Sequence, residues 1–98
     1  MKVFDSIKDK QKPSDLVFDK IYPKKYQEHS ARHFTPVKIA IKAAKLLVDE
    51  PTDKILDIGS GVGKFCCIGS SVTKAHFYGV EKRKALINLS NKIKRMYK

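Results

Sequence analysis

The chain has 98 residues, enough for one small domain, and 42% of them are hydrophobic. It contains no apolar run of about 18 residues, which excludes a transmembrane helix, and its first residues lack the apolar core of a signal peptide. The formal net charge is +11 at pH 7, which suits an anionic partner such as nucleic acid, an acidic protein or a membrane surface.

Residues 1–33 carry the weakest pattern of the chain. Between residues 5 and 15 charges alternate without a helical period, which predicts a mobile or loosely helical arm. Ser14 is a suitable N-cap for a short helix, which should end before Pro23. We therefore predict a partly helical arm over 1–33 and place the main domain over 34–98.

Neither the histidines nor the cysteines predict a metal site. His29 and His33 have the spacing of two ligands on one helix face, but no third ligand lies near them in the sequence. Cys66 and Cys67 are adjacent on a predicted helix, so their side chains point apart and match no zinc pattern. We expect no metal, two free thiols and a reducing, cytoplasmic setting.

An amphipathic helix is predicted from Thr35 to Asp49. Thr35 is a good N-cap, and Pro36 suits the first helical position. Phe34 and Ile39 have the spacing of a hydrophobic staple across that start. Apolar residues then recur at helical spacing, at Val37, Ala40, Ile41, Ala44, Leu47 and Val48.

A short apolar strand followed by three glycines lies at the centre of the chain. Residues 54–64 read Lys-Ile-Leu-Asp-Ile-Gly-Ser-Gly-Val-Gly-Lys, and the apolar residues predict a buried parallel strand. Asp57 lies inside this run, where an unpaired carboxylate is costly. The glycines that follow at alternate positions are Gly59, Gly61 and Gly63. A strand that ends in glycines and continues into a helix, here predicted over 62–72, brings backbone amides to a ligand.

The spacing of these glycines narrows the class of ligand. A dinucleotide fingerprint needs a small residue at position 64, where Lys64 stands, and a phosphate-binding P-loop needs a glycine at position 58, where Ile58 stands. What remains is Asp-x-Gly-x-Gly-x-Gly. A second strand is predicted over 75–80, and Glu81 directly follows it, where a carboxylate holds the ribose diol in a βαβ nucleotide site.

At these residues the chain resembles the class I S-adenosylmethionine-dependent methyltransferases. The segment from Leu56 to Gly63 matches their first motif, and Gly79-Val80-Glu81 matches their acid-ended second strand. The residues of both motifs are also similar to those of the non-SET histone lysine methyltransferases. The resemblance covers roughly residues 34–97 and implies a Rossmann-like βαβα half, with S-adenosyl-L-methionine as the cofactor.

The resemblance also implies roles for individual residues. Glu81 would accept hydrogen bonds from both ribose hydroxyls, and Asp57 would orient the turn and bind the methionine ammonium. The glycines would let the main chain approach the methionine and the ribose, with Gly63 serving helix–strand packing. The implied cofactor-binding residues are Asp57, Gly59, Ser60, Gly61, Gly63 and Glu81.

The family's third and fourth strands have no counterpart in the sequence. We therefore expect an incomplete domain, either a fragment, a truncated product or a decayed copy, with the catalytic residues outside it. Such a chain should be inactive by itself and bind cofactor weakly. The methyl acceptor, a protein lysine or a nucleic acid among the candidates, and the oligomeric state stay open.

Two other functions also stay open. One is a nucleotide- or NAD-binding fragment. The other is a non-catalytic binding module that uses a basic C-terminal helix, predicted over 82–98, against nucleic acid or an acidic protein. That segment has no acid and seven basic residues, Lys82, Arg83, Lys84, Lys92, Lys94, Arg95 and Lys98.

Overall fold

The computed structural model describes residues 2–8 and 11–96. Within these ranges the chain forms six α-helices, one 3-10 helix and two β-strands. In order they are α1 (Lys2–Lys8), α2 (Asp15–Phe18), the 3-10 helix (Asp19–Ile21), α3 (Lys24–His33), α4 (Val37–Leu47), β1 (Lys54–Ile58), α5 (Lys64–Val72), β2 (His76–Val80) and α6 (Lys84–Met96). The predicted α/β class is confirmed, whereas the Rossmann-like arrangement stays a prediction. None of these helices is long and apolar enough to cross a membrane.

The two strands form one parallel sheet, in which Lys54 lies opposite His76 and Ile58 lies opposite Val80. Parallel neighbours require a crossover connection, and α5 provides it. Phe65 on α5 contacts Phe77 on β2 edge to face, with ring centroids 5.6 Å apart. The carboxyl ends of both strands therefore meet at one edge of the sheet.

Helices cover only one face of this sheet. Leu56 and Ile58 are 58% and 80% exposed, and their partners in the register, Tyr78 and Val80, are also exposed. The prediction of a fully buried strand is therefore wrong. β1 carries apolar side chains on both faces, Ile55 on the covered face and Leu56 and Ile58 on the other, but the second face has no covering layer among the described residues.

The helices before residue 34 pack into the same core as the main domain. The buried residues of this core are Val3, Phe4, Ile7, Phe18, Tyr22, Val37, Ala40, Ile41, Val62, Ile68, Leu86 and Ile93. Phe18 lies against Phe4, with ring centroids 5.5 Å apart. The predicted arm is thus helical over Lys2–Lys8, while residues 9 and 10 lie outside the described residues. The division of the chain at residue 33 stays a prediction.

A buried lysine ties α2, the 3-10 helix and α3 to α5. The Lys64 side chain is 3% exposed, and its Nζ lies 2.7 Å from Asp15 Oδ1 and 3.0 Å from Asp19 Oδ1. Ser30 Oγ donates a hydrogen bond to Asp19 Oδ1 at 2.9 Å. A buried ammonium is stable only when it is paired and hydrogen-bonded. The N-terminal helices are therefore held where they can supply these carboxylates.

Asp15 also closes the start of α4. Its Oδ1 accepts the Val37 amide at 2.7 Å, so a residue distant in sequence replaces the predicted Thr35 cap, which is wrong. Partial burial would raise the pKa of Asp15, but Lys64 and the Val37 amide outweigh it and hold that pKa below its ordinary value. The structure does not support the predicted staple between Phe34 and Ile39, because the Phe34 ring lies against Gly61 and Ile39 is 53% exposed.

The remaining helix and strand boundaries differ by one or two residues from those predicted. α5 begins at Lys64 instead of residue 62, because Gly63 before it has a φ of +79° and cannot be helical. β2 begins at His76. α6 covers Lys84–Met96, and the last two residues of the predicted helix, 97 and 98, lie outside the described residues.

We predict that Lys64→Met destabilises the protein because it leaves two carboxylates without their shared cation. Removing one partner of a buried pair costs about 3–5 kcal/mol, and the partial exposure of Asp15 favours the lower end of that range. Urea unfolding followed by circular dichroism measures the loss. Lys42→Met, on the exposed face of α4, is the matched control and should change stability by under about 0.5 kcal/mol. Equal effects of the two variants would contradict the structural role of Lys64.

Candidate functional site

The turn after β1, residues 59–63, is held against the end of β2. The amides of Gly59 and Ser60 both donate to the Val80 carbonyl, at 2.7 and 3.0 Å. The Gly63 amide donates to the Ser60 carbonyl at 3.0 Å and closes the turn. The turn therefore bridges the carboxyl ends of both strands.

The three glycines of the turn have positive φ but different surroundings. Gly59 has a φ of +75°, and a Cβ built on it would meet nothing within 4 Å, so its main chain borders open space. A Cβ on Gly61 would lie 2.6 Å from Cε1 of Phe34. A Cβ on Gly63 would overlap the Ser90 hydroxyl on α6. Gly59 is thus the glycine whose main chain a ligand can reach most freely, while Gly61 and Gly63 are required by packing.

Glu81 joins the second strand end to this turn. Its Oε1 accepts the Gly61 amide at 2.9 Å, and its Oε2 accepts the Arg83 amide at 2.9 Å. The Arg83 guanidinium donates two further hydrogen bonds, from Nη2 to Oε1 at 3.2 Å and from Nε to Oε2 at 2.9 Å. The acid and the glycine turn, 20 residues apart, therefore form one site.

These contacts also fix the charge of Glu81. The guanidinium and amide of Arg83, together with the Gly61 amide, lower the pKa of Glu81 to about 2. The carboxylate is therefore ionised throughout the neutral range. It therefore acts only as a hydrogen-bond acceptor.

Asp57 lies beside this site without a hydrogen-bond partner among the described residues. It is half-buried, and burial raises the pKa of its carboxyl. Gly79 lies opposite it in the register, and the Ser60 side chain fills the space that a Cβ on Gly79 would occupy. Burial, together with the charge of Asp57, also raises the pKa of the Cys66 thiol to about 12. A cation beside Asp57 would offset the cost of burying the carboxylate.

A cavity of about 490 Å³ opens between the turn, β2 and α6. Four of the predicted site residues line it, namely Ser60, Gly61, Gly63 and Glu81. Asn91 and Lys94 contribute the wall from α6. Asp57 and Gly59 are not part of this lining, although they belong to the same strand and turn. The volume lies within the range of small-molecule sites, about 300–1,000 Å³.

The sequence pattern did not indicate the role of Arg83 and gave Phe34 the wrong packing partner. Arg83 follows Glu81 by two positions and was predicted only as part of a basic helix, although an Arg so close to an acid could have suggested pairing. Phe34 was predicted to pack on Ile39 but lies on Gly61 and contacts the His29 ring at 5.1 Å. Among the described residues, no cysteine, aspartate, glutamate or further histidine joins His29 and His33 in a group that could hold a metal ion.

No protein-family model, curated protein or solved structure matches the chain. The function is therefore inferred from the residues of this chain and their geometry.

We predict that alanine substitutions separate the roles of two glycines. Gly59→Ala should lose about 1–2 kcal/mol of stability, because a side chain at positive φ is strained. Gly61→Ala carries the same strain and also overlaps the Phe34 ring, which adds about 1–3 kcal/mol. Chemical denaturation measures both. The double variant Gly61→Ala with Phe34→Ala should cost less than the sum of its single variants, and strict additivity would show that the ring is not the obstacle.

A second prediction concerns the ionisation of Glu81. Its pKa, about 2 against an ordinary 4.5, favours the folded state above about pH 4.5, and this contribution is lost as the pH falls towards 2. Arg83→Ala should raise the Glu81 pKa and flatten the loss of stability in that window. Carbon-13 NMR titration measures the pKa directly. Lys84→Ala is the control, and an unchanged Glu81 pKa in Arg83→Ala would refute the assignment.

Proposed function

We propose that the protein is the S-adenosylmethionine-binding part of a class I methyltransferase. The observation that carries the proposal is the hydrogen bond from the Gly61 amide to Glu81 Oε1, because it joins the two motifs of the resemblance in one site. The parallel pairing of β1 and β2 through α5 is consistent with it. The cofactor supplies the activated methyl group when bound, and the chain's own residues hold and orient it.

The residues present fit the parts of this cofactor. Glu81 is an ionised acceptor at the end of β2 that would accept a ribose diol when the Arg83 guanidinium moves away, and Asp57 is a half-buried carboxylate without a partner among the described residues, suited to an ammonium. Gly59 lets a ligand reach the main chain. Ser60 adds a hydroxyl to the cavity wall. The ribose and the methionine ammonium thus each have a candidate partner at the strand ends.

The proposal names the methyl acceptor and the cellular setting only by their class. A protein lysine or a nucleic acid suits the positive charge of the chain, and the free thiols Cys66 and Cys67 suit a reducing cytoplasm. The exposed basic residues of α6 also support the second candidate, a binding module for nucleic acid or acidic protein. Its binding would weaken steeply with salt, whereas binding of a single cofactor at the turn would not.

The proposal is tested by NMR titration of the 98-residue protein with S-adenosylhomocysteine and, separately, with NAD. We expect S-adenosylhomocysteine to shift the amides of residues 59–63 and of Glu81, with weak affinity because the uncovered sheet face gives the ligand few walls. NAD at the same concentration should leave them unchanged. Shifts with NAD and none with S-adenosylhomocysteine would replace the methyltransferase proposal with a dinucleotide site.

Glu81→Gln tests the role of the acid in the same titration. Hydrogen bonds to a charged acceptor are stronger than those to a neutral one, so the affinity for S-adenosylhomocysteine should fall about ten- to a hundred-fold. Glu50→Gln, in the exposed turn before β1, is the matched control. Equal affinities in the two variants would show that Glu81 does not bind the ligand.

A further inference from the structure

We infer that the Arg83 side chain occupies the ribose position on Glu81 and acts as an internal competitor that a nucleoside must displace. This inference rests on the proposed function, because it assigns a regulating residue to the same site. It also defines the class of ligand group that can open the site, namely two adjacent hydroxyls.

The donors around Glu81 fall into two pairs. Each carboxylate oxygen receives one backbone amide, from Gly61 on Oε1 and from Arg83 on Oε2. Each oxygen also receives one guanidinium nitrogen of Arg83. An ionised carboxylate offers about four acceptor positions, so all of them are filled. A ribose can bind only where one of these donors leaves.

The two hydrogen bonds from the Arg83 guanidinium are the pair that a ligand can displace. The two amides are fixed by the turn and by the chain after β2, whereas the Arg83 side chain is 52% exposed and can move into water. Glu81 itself is 4% exposed and stays in place. Displacement of Arg83 would free one acceptor position on each oxygen while both amides continue to orient the carboxylate.

A vicinal diol matches the two positions that become free. The guanidinium presents two donors side by side to the two oxygens, and hydroxyls on neighbouring ring carbons can do the same. A ligand with a single hydroxyl needs only one acceptor position and would leave one of the two guanidinium contacts in place. Removal of Arg83 should therefore help a ligand with an intact 2′,3′-diol more than a deoxy analogue.

Salt gives the competitor a signature of its own. The ion pair between Arg83 and Glu81 has a guanidinium that is 52% exposed, so dissolved ions can screen it. Adenosine carries no charge, so salt should act mainly on the internal pair. The affinity of the native protein for adenosine should therefore rise with salt, whereas that of Arg83→Ala should change little.

The experiment compares adenosine and 2′-deoxyadenosine by NMR titration of the native protein, Arg83→Ala and Lys84→Ala. We expect Arg83→Ala to bind adenosine about two- to five-fold more tightly, since that is the worth of an exposed ion pair. The gain for 2′-deoxyadenosine should be smaller, and Lys84→Ala should match the native protein. Arg83→Lys, which keeps the charge without the fork of donors, should fall between the native protein and the alanine variant.

Equal or weaker adenosine binding by Arg83→Ala would overturn the inference, and so would an equal gain for 2′-deoxyadenosine. Absence of adenosine binding in every variant would overturn it as well. S-adenosylhomocysteine serves as the arm that tests the proposed function separately. If adenosine shows the expected gain in Arg83→Ala but S-adenosylhomocysteine binds that variant no better than adenosine does, the competitor stands and the methyltransferase proposal fails. If it binds the native protein and Arg83→Ala equally, the competitor is refuted and the methyltransferase proposal stands.

Discussion

The buried ammonium of Lys64 is the interaction on which the rest of the structure depends. Lys64 is the first residue of α5 and directly follows the glycine turn. Its partner Asp15 stands 49 residues earlier and also accepts the first amide of α4. One charge cluster therefore links α2, the 3-10 helix, α3, the start of α4 and the base of the turn. Such a cluster stabilises the fold only when it is complete, because a lone buried charge is strongly unfavourable.

The site inherits its shape from this anchoring. Phe34 lies between α3 and α4, both of which are tied to the cluster through Ser30 and Val37, and its ring lies on Gly61. Glu81 holds the same glycine from the side of β2. The turn is thus held between an aromatic ring and a carboxylate, and the Gly59 end is left open. A ligand would meet a preformed main chain with little ordering cost.

Local patterns were sufficient to predict the elements that build the site. The apolar run, the alternate glycines and the acid at 81 lie within 30 residues of each other and determine strands, turn and their shared edge through backbone geometry alone. The partners of Lys64 and the cap of α4 depend on tertiary contacts between residues far apart in the chain, which no periodicity encodes. The role of Arg83 was not predicted for a different reason. An arginine in a basic run suggests a solvated side chain until its carboxylate partner is located.

The shared carbonyl of Val80 links the motion of the turn to that of the sheet. It accepts the amides of both Gly59 and Ser60, so these amides can exchange with solvent only when the end of β2 separates from the turn. Turn and strand end therefore open together as one cooperative unit. A molecule bound at the turn would slow hydrogen exchange along β2, including residues that it never touches. Hydrogen exchange in β2 would therefore show whether a ligand occupies the turn.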